Sequence, residues 1–144
     1  MNAIRVVALP LAAILGTAAL ACAAQEISAP GAGLTPQTSG GIRYITGGVG
    51  DEERDAIRQQ ANEYNLWIWL ARSGSGYFLA DVKVDIEDAS GRPVLDTVTN
   101  GPWLLARVPA GRYTIHTDQS DAATTVNVGT TGHTVSVLRF PGPE

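Results

Sequence analysis

From Tyr64 onward, apolar residues recur at every second position in short runs, and each run ends at Gly or Pro. A period of two is the signature of strands with one face buried, and no helix can use it. Phe78, Ala80, Val82, Val84 and Ile86 alternate with Leu79, Asp81, Lys83, Asp85 and Glu87, which predicts a strand with one apolar and one charged face. Before it, Tyr64, Leu66, Ile68 and Leu70 share one face of a strand and Trp67 and Trp69 the other; Ser73–Gly76 then breaks the chain. Further strands are expected over 93–99, 103–108, 112–117, 122–128 and 133–140, separated by Ser90-Gly91, Gly101-Pro102, Pro109-Ala110-Gly111 and Gly129–Gly132. About seven short strands at this spacing, each closed by turn residues, predict an all-β antiparallel sandwich. Roughly 80 residues arranged in this way bury enough apolar surface to hold a fold.

A single helix is expected, over Asp51 to about Glu63. Asp51, Glu52 and Glu53 place negative charge in its first turn, with Asp51 as N-cap, and Ala56, Ile57, Gln60, Ala61 and Tyr64 form a modest apolar stripe. So short a helix must lean on the sheets to persist. Residues 24–50 are rich in Gly, Pro, Ser and Thr and poor in recurring apolar positions, so a flexible tether is expected there. Within it, only Ile42-Arg43-Tyr44-Ile45 has the composition to add a short edge strand.

Residues 1–23 read as a signal peptide: Arg5 supplies the positive end, Val6 to Leu20 the apolar run, and small residues follow. The run falls short of the roughly 20 residues that span a bilayer. Export to the periplasm is therefore expected. Two processing routes stay open, cleavage after Ala21-Cys22-Ala23 or lipidation of Cys22 in a loose lipobox that would anchor the protein to the membrane. Cys22 is the sole cysteine, so the domain over 51–144 is expected to carry no disulfide and no thiolate metal site. The formal net charge is −4, and setting Arg5 aside takes it to about −5. Basic residues are scattered, which argues against nucleic acid as a partner.

The runs Leu79–Ile86, Asp88-Ala89-Ser90-Gly91-Arg92-Pro93-Val94 and Pro109-Ala110-Gly111-Arg112-Tyr113-Thr114-Ile115 have a shared cadence. It resembles that of carboxypeptidase regulatory-like, transthyretin-like domains, whose strands read "gA-x-V-x-V-x-D-x-x-G-x-x-V" and later "L-P-P-G-x-Y-x-V". The resemblance implies a transthyretin-like sandwich serving as a non-catalytic accessory module that binds, spaces or caps another molecule. One branch of that fold, the hydroxyisourate hydrolases, is enzymatic and ends in Tyr-Arg-Gly-Ser. This chain ends Leu138-Arg139-Phe140-Pro141-Gly142-Pro143-Glu144, and neither of its histidines falls in the matching N-terminal motif, so that activity is not expected.

Candidate sites follow from residue chemistry. His116 and Asp118, two apart on one strand, would need His133 to complete a metal site; the alternative is a solvent-facing row of Arg112, Thr114, His116 and Asp118, and no metal or other cofactor is expected. Asp81, Lys83, Asp85 and Glu87 contain paired carboxylates, but residues two apart on a strand lie side by side without a cleft. No Gly-x-Ser-x-Gly elbow supports a hydrolytic triad. Trp67 and Trp69, about 7 Å apart on one strand face, would form a sugar-stacking platform if that face were open. The helix laid across them with Ile57 and Ala61 is the preferred reading, because it explains why the helix exists. Trp103 is expected at the core or a corner. The leading expectation is a non-enzymatic envelope accessory protein that contacts a protein partner by a sheet edge or the helix-side face; the alternative partner is polysaccharide bound at Trp67 and Trp69.

Overall fold

The computed structural model describes residues 34–141, so the signal segment and Cys22 lie outside the described residues. Nine strands form two sheets. The strands are β1 (Gln37–Ser39), β2 (Ile42–Gly47), β3 (Leu66–Arg72), β4 (Lys83–Asp88), β5 (Pro93–Val98), β6 (Trp103–Arg107), β7 (Gly111–Thr117), β8 (Ser120–Val128) and β9 (Thr134–Phe140). One sheet has the order β1-β2-β6-β3-β9 and the other β5-β4-β7-β8. All pairings are antiparallel except β3 with β9, which run parallel. Leu66, Ile68 and Leu70 of one sheet meet Val84, Ile86, Tyr113 and Ile115 of the other in a single apolar core. The described residues thus form a two-sheet, sandwich-like β fold with one α-helix.

Several expectations are corrected. Of the segment 24–50, read as a tether, the described part from Leu34 onward contributes two strands. Nor is β2 an edge: it lies between β1 and β6, with Tyr44, Ile45 and Thr46 all buried. Both of its faces are covered, Tyr44 by the opposite sheet and Ile45 by the helix, so no alternation marks it in the sequence. Seven strands therefore become nine. The strand foreseen from Phe78 begins only at Lys83, because Asp81 takes a left-handed φ of 56° and Phe78 is half exposed, joined only by a lone bridge to Ala71. The turn into β4 is held by Thr99, whose carbonyl accepts the Asp81 N–H at 2.7 Å and whose buried hydroxyl accepts the Val82 N–H at 3.2 Å.

The helix α1 (Asp51–Gln60) continues as a 3-10 turn over Ala61–Glu63, in the place expected. Its N-cap is Gly50 rather than Asp51, and no side chain caps it. Glu53 instead pins the loop before the helix: its Oε2 accepts the N–H groups of Gly48 and Val49 at 3.0 and 3.1 Å. Ile57 and Ala61 then pack on Ile45, Leu105 and Tyr64, forming a second core on the outer face of the five-stranded sheet. Where β6 begins, Gly101 lies so close to β2 that a Cβ there would overlap the Gly47 carbonyl.

Candidate functional site

The two outer faces differ in chemistry, and the difference locates the site. On the four-stranded sheet the outward face carries a charged cluster: Lys83 lies 3.6 Å from Asp85 and 3.8 Å from Asp96, and His116 Nε2 lies 3.5 Å from Glu87 Oε2. Asp118 accepts the Lys83 N–H at 3.0 Å and is thereby committed to the backbone. His133 sits before β9 in the other sheet, so the structure does not bring it together with His116 and Asp118. Among the described residues no three His, Cys, Asp or Glu converge as a metal site.

On the five-stranded sheet the outward face is aromatic and aliphatic. Its register aligns Gly47, Trp103, Trp69 and Val137 in one row, and Leu105, Trp67 and Val135 in the next. The helix covers the β2–β6 side through Ile45 and Leu105 and stops short of β9. Trp67 and Trp69 consequently lie at the border of the helix, partly buried. Trp67 donates its Nε1–H to the Tyr64 carbonyl at 3.3 Å and stacks on His133, with centroids 3.9 Å apart and planes within 7°. Trp69 stacks on Trp103 at 5.9 Å, and the Arg58 guanidinium lies 5.3 Å from the Trp103 centroid. Between helix and indoles remains an apolar cleft of about 130 Å³, walled by Ile57, Ala61, Trp67, Trp69, Trp103 and Leu105. Each indole thus spends one ring face on an aromatic neighbour.

Beyond the tryptophans, β9 is the sheet edge, and its backbone phase can be read. Thr134 N–H donates to the Asn65 carbonyl at 2.8 Å and Ser73 N–H to the Phe140 carbonyl at 2.7 Å. In a parallel pair this phase commits the even-numbered residues of β9 to β3. Val135, Val137 and Arg139 therefore turn their N–H and C=O groups to the open side. Their side chains stand on the outer face, and Val135 and Val137 are each 44% exposed. The neighbouring edge, β8, is tied to β9 through Thr134 Oγ1–H, which donates to the Asn127 carbonyl at 3.0 Å. Toward Phe140 the two edges part around a cleft lined by Ala122, Thr124 and Arg139.

At the opposite end of this face lies a polar group. Arg43 and Arg107 are register partners on β2 and β6. Glu63 neutralises Arg43 at 2.8 Å, whereas Arg107 has no ion pair among the described residues. Tyr64 is buried beside them; burial raises its pKa, against a lowering by Arg43. Its hydroxyl faces the Arg43 side chain.

Sequence reasoning singled out Trp67 and Trp69 but not Val135, Val137 or Arg107. Both residue phases of β9 mix apolar and polar residues, so its sequence does not reveal which phase is open; only its edge position does. Arg107 follows a run that reads as core. No protein-family model matches the chain, and a search of curated proteins finds no match either.

Proposed function

We propose that this protein is a non-enzymatic accessory module of the bacterial cell envelope, exported by its N-terminal segment, that holds a protein partner along β9. A carboxypeptidase regulatory-like, transthyretin-like assignment of the sandwich belongs to this reading and rests on the cadence of residues 79–115. The observation that carries the reading is the β9 edge, which offers three residues with unused backbone donors and acceptors beside exposed Val135 and Val137. Sheet edges of this kind take up an extended segment by strand addition, and natural proteins usually blunt them. Here Arg139 is the only charge on the strand. The partner is accordingly an extended polypeptide with apolar residues facing the outer side.

A second reading, glycan binding, is favoured by the cleft walled by Trp67, Trp69 and Trp103. It ranks below the first because His133 and the Trp69–Trp103 stack already occupy ring faces that a sugar would need.

Val137→Pro separates the two. The Val137 N–H points to the open side, so proline removes no bond to β3 but blocks a strand added outside it. The expected outcome is an unchanged melting temperature together with loss of the photo-crosslinked adduct that a probe at position 135 forms in envelope preparations. An adduct that survives Val137→Pro would overturn strand addition. Quenching of tryptophan emission by envelope polysaccharide, equal in both proteins, would favour the glycan reading.

A further inference from the structure

We infer that the cleft around Arg107 binds an oxyanion, the carboxylate or phosphate group of a small molecule or glycan. Arg107 forms a wall shared by two adjoining clefts, of about 510 and about 210 Å³, at the end of the five-stranded sheet. Around it the smaller cleft presents Asn62, Thr130 and His133, and all three are exposed. Each can donate a hydrogen bond, and the Thr130–Gly132 loop adds backbone N–H groups to the same rim. Asn65 is excluded from ligand contact, since its side chain is spent on Val108, donating to the carbonyl at 2.6 Å and accepting the N–H at 2.9 Å. That clamp fixes the end of β6 and with it the base of Arg107.

Two features of the site call for an anion. Arg43 and Arg107 lie directly opposite each other, and like charges at cross-strand positions repel. Glu63 is committed to Arg43, and among the described residues the Arg107 guanidinium has only a long 3.5 Å contact to the Glu63 carbonyl. A guanidinium fork with surrounding neutral donors matches an oxyanion in both charge and shape. The site does not depend on strand addition at β9, and Val137→Pro should leave it intact.

Titration of the purified chain, followed by amide chemical shifts at fixed ionic strength, tests this with sodium glucuronate and with inorganic phosphate. The expected result is a saturating shift confined to residues 62–65, 107 and 129–133 for at least one of them, and the one that saturates identifies the ligand class. Arg107→Gln should weaken that binding by about tenfold or more, with Arg107→Lys between the two because it keeps the charge and loses the fork. Arg107 is exposed, so both variants should keep the wild-type melting temperature. Shifts that stay linear for both anions, or saturate equally in Arg107→Gln, would overturn the inference.

Discussion

Asp88 shows how one residue can hold a turn. Its Oδ1 accepts the N–H groups of Ser90 and Arg92 at 2.9 and 3.1 Å, while its Oδ2 accepts the Arg92 Nε and NH2 groups at 3.2 and 3.1 Å. Bonding from the Ser90 hydroxyl first, and then from the Arg92 backbone, lowers its pKa from 3.8 to about 2. A depressed folded-state pKa means that the ionised form stabilises the fold; this contribution is complete above 3.8 and is lost as pH falls toward about 2. Asp88→Asn should therefore melt below wild type near neutral pH, and the gap should narrow between about pH 4 and pH 2. A gap that does not change with pH would mean that the carboxylate's charge is irrelevant to the turn. This residue was legible in the sequence as Asp88-Ala89-Ser90-Gly91-Arg92, because every partner lies within four positions. The Pro109–Tyr113 turn was legible on the same ground, and there the Tyr113 hydroxyl donates to the Pro109 carbonyl at 2.6 Å. Arg107 was not, since its neighbours Arg43, Asn62 and Thr130 come from distant segments.

At the scale of elements, the helix matters most. Its intrinsic stability is small, and Ile57 is the one residue of Asp51–Gln60 that is fully buried. Ile57→Ala should cost about 2–4 kcal/mol in chemical denaturation, combining lost burial with the cavity left against Leu105. Because Ile57 also walls the indole cleft, the variant's tryptophan emission should shift to the red. A cost below about 1 kcal/mol with unchanged emission would show that the helix contributes little to the second core. The helix was legible from its charge pattern and apolar spacing. How far it extends over the tryptophans was not, since that is set by where Ile45 and Leu105 meet it across a β2–β6 pairing nearly 60 residues apart. The strands β4 to β8 were largely legible because they follow one another with short turns. In contrast, β1 and β2 lie in a Gly-rich segment and acquire their partners only through β6.

For the whole molecule, the five-stranded sheet is shared by two cores, one between the sheets and one under the helix. All three tryptophans lie on its outer face, whereas far-UV circular dichroism reports both sheets. A single cooperative unit requires the two signals to follow one denaturation curve. Loss of the fluorescence transition ahead of the dichroism would show instead that the helical layer melts on its own. The sequence by itself determined the strand periodicity, the turns between successive strands, the single helix and the charged outer face near Lys83 and Asp85, because each depends on neighbours a few residues apart. Only the tertiary structure decided that β2 is internal, that β9 pairs in parallel with β3 and ends the sheet, and that Arg43 faces Arg107. Those facts depend on pairings between distant segments, whose partners no local pattern specifies.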